Sequence, residues 1–237
     1  MIEEPPRLRI NANRTRPTAA QIEAFQGVPT GFVVDAMFGK GALDGSIAPL
    51  GLGRDIECVA AGPALTADNR PSDIMGTLAA LNFLQDGDVM VAGFGGFQGC
   101  ASAGDRVSAM IKNCGGRGFI SDGPMRDYAG LVDVGLPCWC TGLTPNSPYV
   151  TGPASVGFPI QIGGMAVATG DMIVADRDGV VVVPFAQIDA VIAQLDNVRA
   201  AELSLDAELK SGVKFPDAIA QMIEGEDVVY VGAPDDV

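Results

Sequence analysis

Gly87-Asp88-Val89-Met90-Val91-Ala92-Gly93, then Ala103-Gly104-Asp105-Arg106-Val107-Ser108-Ala109-Met110-Ile111-Lys112-Asn113-Cys114, then Gly118-Phe119-Ile120-Ser121-Asp122-Gly123-Pro124-Met125-Arg126-Asp127 read as one strand–helix–strand unit. Gly87-Asp88 makes a turn into a buried apolar strand. From Ala103 the spacing of Val107, Met110, Ile111 and Cys114 at i, i+3, i+4 and i+7 predicts a helix with one apolar face. Gly115-Gly116 ends it, and Gly118 to Ser121 forms a second strand. With the strands parallel, the crossover brings the helix start and the end of the second strand to the carboxyl edge of the sheet, where open α/β folds bind ligands. Asp105 then lies in the first turn of the helix and Arg126-Asp127 just past the second strand. Three charges meet at one edge.

Working outward, Thr18-Ala19-Ala20-Gln21 is a capping box opening a short helix to about Gln26. Gly27-Val28-Pro29 breaks it, and Thr30 can cap a second helix through Ala36. A buried strand is expected from Cys58 to Thr66, a helix from Ser72 to Leu84, and short strands broken by Gly and Pro from Leu136 to Ile162. Met172-Ile173-Val174-Ala175 and Val180-Val181-Val182-Val183, joined by Asp176-Arg177-Asp178-Gly179, read as a hairpin. A long helix runs from about Phe185 to Lys210 and stops at Gly212; its seam is Ile188, Val191, Leu195, Val198, Glu202, Leu205 and Leu209. Glu202 breaks that apolar stripe. It is either the exposed fringe of the helix or a carboxylate turned toward a site or a subunit boundary.

At 237 residues with 48% hydrophobic side chains and a mean hydropathy of +0.27, the chain can bury one sizeable core. No apolar run reaches the ~18 residues of a membrane span. Met1-Ile2-Glu3-Glu4-Pro5-Pro6 carries no charged-then-apolar signal pattern. The expectation is a soluble, cytoplasmic protein without a membrane partner. Fifteen basic against 29 acidic residues leave a formal charge of −14, which argues against nucleic acid as a partner. The four arginines between Arg7 and Arg16 are expected to form a surface arm on a neighbouring subunit. Five unevenly spaced cysteines fit reduced thiols, and Cys138-Trp139-Cys140 reads as strand alternation rather than a metal site. Histidine is absent, which removes histidine triads, histidine-ligated zinc and imidazole acid–base chemistry.

Free amides at a helix start, around Asp105-Arg106-Val107, suit a carboxylate. A guanidinium offers forked donors to a carboxylate or a developing enolate oxygen. Asp127, with Asp105 nearby, supplies hard oxygen ligands for Mg²⁺ or Mn²⁺. Together these groups suit a 2-oxo acid and a reaction passing through its enolate. Taken as isolated residues, Asp105 can equally be a helix cap and Arg126-Asp127 an ordinary surface pair.

Gly104-Asp105, the interval to Asp122-Gly123-Pro124-Met125-Arg126-Asp127, and Gly170-Asp171-Met172-Ile173-Val174-Ala175-Asp176-Arg177-Asp178-Gly179-Val180 resemble the RraA-like family. That family includes class II pyruvate aldolases acting on 4-hydroxy-4-methyl-2-oxoglutarate and 4-carboxy-4-hydroxy-2-oxoadipate. The likeness runs from about Thr30 to Gly212, with Asp35-Ala36 and Gly62-Pro63-Ala64 in the expected order. It implies a single domain over residues 1–237, with an N-terminal arm over 1–17 and a C-terminal tail over 213–237. The fold implied is a compact, β-rich layered α/β sandwich resembling a phosphohistidine swivelling domain, with a long C-terminal helix. The implied assembly is a homotrimer or homohexamer with sites between subunits.

By the same resemblance, Arg126 binds pyruvate and stabilises its enolate, Asp127 holds a divalent cation (Mg²⁺ first, Mn²⁺ or Co²⁺ as variants), and Asp105 orders water at that cation. The Gly104 turn and the amides of Arg106 and Val107 receive the substrate carboxylate. A glutamate from a neighbouring C-terminal helix, Glu202 or in its place Glu208, completes the site. The implied reaction is retro-aldol cleavage of a 4-hydroxy-2-oxo acid to pyruvate and a second oxo acid, with oxaloacetate decarboxylation beside it. The alternative is a non-catalytic RraA-type regulator that binds the RNA-degradation machinery. Two departures from the family stand out. Arg106 adds a charge beside the carboxylate site, either selecting a more acidic substrate or facing solvent, and Ala92-Gly93-Phe94-Gly95-Gly96 replaces a strand end that carries an aspartate in many relatives.

Overall fold

The computed structural model describes residues 6–232; the first five residues of the expected arm and the last five of the expected tail lie outside the described residues. In chain order the elements are β1 (Leu8–Ile10), α1 (Ala19–Glu23), α2 (Thr30–Ala36), β2 (Ala48–Pro49), β3 (Ala60–Asp68), α3 (Met75–Ala80), β4 (Val89–Gly93), α4 (Asp105–Asn113), β5 (Gly118–Ser121), α5 (Tyr128–Val134), β6 (Cys138–Cys140), β7 (Ala154–Val156), β8 (Ile160–Ile162), β9 (Met165–Val167), β10 (Met172–Ala175), β11 (Val180–Val183), α6 (Ile188–Lys210) and α7 (Asp217–Ile223). The chain divides into two compact units, the first ending at Leu195 and the second beginning at Asp196.

In the first unit the expected parallel core is present. β4 pairs parallel with β5, Val89 opposite Gly118 and Ala92 opposite Ser121, and β3 and β6 extend the parallel ladder on either side. The long strand β3 serves three ladders, the third an antiparallel pairing of Ala67 and Asp68 with β7. Its first half pairs antiparallel with β10, Ala60 opposite Ala175 and Pro63 opposite Met172, and from Ala64 onward it pairs with β4. Pro63 sits where the partner changes, a position that tolerates the loss of one ladder donor. Gly62 is required beside it, because a Cβ there would lie 2.1 Å from the Gly87 carbonyl. The β10–β11 hairpin forms as the Asp178-Gly179 turn predicts, Ala175 opposite Val180. Met90, Phe119, Ile120, Leu131, Trp139 and Ile173 fill the core, and the Trp139 indole N–H donates to the Asp176 carbonyl at 2.8 Å.

Several local expectations shift. The Thr18 capping box is present, but α1 closes at Glu23. Pro29 occupies the N-cap of α2; Thr30 is the first helical residue, and both its N–H and its hydroxyl donate to the Asp176 carboxylate at 2.8 Å. On α4 the buried positions are Ser108 and Ile111, while Met110 and Cys114 face outward. The four arginines of the arm pack on their own chain. β1 pairs with β7, Arg9 lies over the Phe158 ring, Arg7 Nε donates to the Thr151 carbonyl at 3.1 Å, and Arg14 and Arg16 both reach Asp88. Cys138 and Cys140 lie in a strand as alternation predicts. Burial pushes both thiols up, and the Cys138 Sγ–H donates to the Leu136 carbonyl.

The helix expected from Ser72 begins only at Met75, since Ser72 has φ 64° and Asp73 turns its carboxylate onto the chain. Asp73 accepts from the Met75 N–H at 2.8 Å and from the N–H groups of Thr151 and Gly152 at 2.5 and 3.0 Å. Burial raises this carboxyl, but its hydrogen bonds to Thr151, Met75 and Gly152 outweigh the desolvation and leave it below its ordinary value. A depressed folded-state value means the stabilisation is complete above the unfolded value of about 3.9 and is lost as pH falls through the folded value. In urea titrations below about pH 4, the unfolding midpoint is expected to fall with pH, with a shallower slope in Asp73→Asn. Equal slopes would refute this role.

The seam of α6 is covered only at its start. Ile188, Val191 and Leu195 are buried, whereas Leu205 and Leu209 are 46% and 55% exposed. The second unit comprises the rest of α6 from Asp196, the left-handed turn at Gly212 and α7.

Candidate active site

The segment after β5 is held between two others by backbone pairing. The Arg126 N–H donates to the Ala103 carbonyl at 3.1 Å, the Met125 N–H to Gly142 at 2.9 Å, and the Thr144 N–H to the Met125 carbonyl at 2.9 Å. Side chains alternate along an extended segment. Met125 is fully buried as the anchor, and the Arg126 side chain emerges one-third exposed. Its Nη1 donates to Ser147 Oγ at 2.5 Å, and its Nε lies 3.2 Å from Asp127 Oδ2.

Asp127 then adopts the left-handed conformation, φ 63° and ψ 48°, at the N-cap of α5. Aspartate tolerates that region better than most residues. Although it occupies a cap position, its side chain makes no capping hydrogen bond, and apart from the ion pair with Arg126 the carboxylate is left to the cleft it lines. The start of α4 faces it. Gly104 is the N-cap of α4, and a Cβ there would lie 2.6 Å from Asp127 Oδ2. Asp105 is the first helical residue and presses on α5, where a Cβ on Gly130 would lie 2.6 Å from Asp105 Oδ2. Two glycines thus leave room for two carboxylates.

Gly104, Asp105, Arg106, Val107, Arg126 and Asp127 line one narrow cleft together. Arg126 and Asp127 also border a wider one of about 310 Å³ beside Tyr128, Leu143 and Thr144. One expected donor is already engaged: the Arg106 N–H donates to Asp105 Oδ1 at 2.7 Å. The first-turn amide of Val107 has no intrahelical acceptor, the kind of donor that suits an anion. Arg106 itself is exposed. Among the described residues, no three His, Cys, Asp or Glu side chains converge to enclose a metal. Two carboxylates in an open cleft instead fit a cation that retains much of its water shell, as Mg²⁺ does. Glu202, half-exposed on α6, and Glu208, exposed on the same helix, belong to the second unit.

A family profile, Aldolase/RraA, matches residues 30–182. The chain belongs to the RraA-like family. A Halalkalibacterium halodurans protein, provisionally named 4-hydroxy-4-methyl-2-oxoglutarate aldolase, is 32% identical over 192 residues, covering 81% of this chain and 90% of that protein. A Streptomyces coelicolor structure, RraAS2, described as an unusual member of the RNase ES inhibitor RraA family, superposes with a TM-score of 0.67 at 27% identity, covering 81% of this chain and all of that one. An uncharacterised Pseudomonas syringae protein shares the fold at a TM-score of 0.71 and 22% identity, covering 84% of this chain and 96% of that one. The mixed α/β fold with a large sheet and a long C-terminal helix is that of RraA-like structures.

In this RraA-like chain the structure also brings in residues that the sequence reading missed. Ser147 holds the Arg126 fork from a loop whose Pro145 and Pro148 signal only a turn. Asp122 accepts the N–H groups of Phe94 and Gly96 at 2.5 and 2.7 Å, pinning the glycine-rich end of β4. Its proximity to that strand end was implicit in the parallel register, but its hydrogen bonds were not.

Proposed function

We propose that the protein is a class II pyruvate aldolase, cleaving a 4-hydroxy-2-oxo acid to pyruvate and a second oxo acid, with oxaloacetate decarboxylation as a second activity. The observation that carries this reading is the meeting of Arg126 and Asp127 with the start of α4 in one cleft. The name of the Halalkalibacterium halodurans relative supports it. The same reading keeps the likeness to a swivelling domain for the layered sheet, and places the protein in the cytoplasm.

Arg126 receives the 2-oxo acid end of the substrate, its fork matching a carboxylate or oxo group. The Val107 amide adds a donor for the carboxylate. A base acting through water takes the C4 hydroxyl proton. The C3–C4 bond breaks, C4 becomes the carbonyl of the second oxo acid, and the electron pair passes to the C2 oxo group as the pyruvate enolate. Arg126 stabilises that oxyanion until a proton returns to C3. Asp127 would hold a divalent cation, Mg²⁺ first, which when bound supplies Lewis-acid stabilisation of the same negative charge. Asp105 would order water beside it. Glu202, with Glu208 as substitute, is assigned to the site of a neighbouring copy in a homo-oligomer, a trimer or hexamer.

The test is pyruvate release, coupled to lactate dehydrogenase, from 4-hydroxy-4-methyl-2-oxoglutarate, 4-carboxy-4-hydroxy-2-oxoadipate and oxaloacetate, each with Mg²⁺ or with EDTA. Metal-dependent release is expected. No release from any of the three would overturn the reading in favour of a non-catalytic regulator or an enzyme of different substrate range.

A further inference from the structure

Where the arm crosses the sheet, a cavity of about 400 Å³ opens among Asn11, Arg14, Arg16, Asn82, Gln85 and Thr169. It shares no lining residue with the clefts at Arg126 and Asp127. Among the described residues its charged lining groups are two guanidiniums and no carboxylate, in a chain whose formal charge is −14. Behind the wall, the fully buried carboxylate of Asp88 is shared by both arginines, so one positive charge is left over.

Arg14 is the more informative of the two. Its side chain is only 10% exposed, and Nη1 donates to the Phe83 carbonyl at 3.1 Å and lies 2.7 Å from Asp88 Oδ2. Its Nε and Nη2 are buried with no hydrogen-bond partner among the described residues. Unmet donors on a buried cation are unfavourable, and a negative charge in the adjoining cavity would offset them. The amides of Asn82 and Gln85 stand at the exposed rim, where neutral donors suit an oxyanion. The volume falls in the range of small-molecule pockets and exceeds the needs of a bare ion, and Leu65 and Val156 give one wall apolar character.

We propose that this cavity binds a small organic oxyanion, a carboxylate or phosphate carried on a compact body, at a site separate from the Arg126 cleft. The test is isothermal titration of the full chain, in oxyanion-free buffer, with inorganic phosphate and separately with malonate. Saturable binding of at least one is expected, and the responding probe identifies the head group. Gln85→Glu, which adds a negative charge at the exposed rim, is expected to weaken binding about tenfold or more. Asn82→Asp is expected to act likewise, whereas Arg126→Ala is expected to retain binding. The proposal is overturned if neither probe binds, if binding persists undiminished in both rim variants, or if it disappears in Arg126→Ala. Because Arg126→Ala is also the variant that disables the proposed reaction, failure of the aldolase reading leaves this result separate.

Discussion

Arg126→Ala is expected to lower kcat/KM for pyruvate release by roughly two to three orders of magnitude, the usual effect of deleting a donor aimed at a developing oxyanion. Its fold should survive. The guanidinium is one-third exposed and, among the described residues, bonds Ser147 and Asp127, while the position is held by the backbone pairing of Arg126 with Ala103 and by buried Met125. Arg126→Lys should recover little, since an ammonium on a flexible stem lacks the planar fork. The loss should fall on both constants: kcat drops because the enolate charge develops in the transition state, and KM rises because Arg126 also receives the 2-oxo acid end of the bound substrate. Turnover within twofold of the parent enzyme would remove Arg126 from the chemistry.

The second large effect is on stability. Asp88→Ala is expected to lower the unfolding free energy by about 3–5 kcal/mol, the range found when one partner of a buried ion pair is removed. The carboxylate is fully buried and serves Arg14, Arg16 and the Gln85 N–H, the last at 2.8 Å. Arg16 can turn to water because its side chain is 27% exposed; Arg14, at 10%, cannot follow as easily, and so most of the loss should come from Arg14. Asp88→Asn keeps an acceptor but no charge and should fall between parent and alanine variant. Urea unfolding reads both. A loss below about 1 kcal/mol would mean that the arm is not anchored through Asp88.

Turn chemistry and periodicity are local, and what rests on them was legible in the sequence. The Gly87-to-Asp127 unit forms with its strands parallel, the Asp178-Gly179 turn closes the hairpin, Thr18 and Gln21 make their capping box, and Asp105, Arg126 and Asp127 line one cleft. Each follows from residues a few positions apart, or from the handedness of a single crossover. Tertiary structure decided the rest. Arg14 and Arg16 found Asp88 some seventy positions away, as the 72-residue separation of Arg16 from Asp88 shows, and so the arm is tied to its own sheet. Which face of α4 turns inward was set by packing that prefers Ile111 and Ser108 to Met110 and Cys114. The apolar seam of α6 stays regular past Leu195 but loses its cover there, because periodicity encodes a stripe and not the surface that meets it. The sequence alone thus determined which charges share an edge of the sheet. Only the fold decided that Ser147 would hold the Arg126 fork, and that Gly104 and Gly130 would leave room for two carboxylates, since each depends on distances between elements rather than on spacing within one.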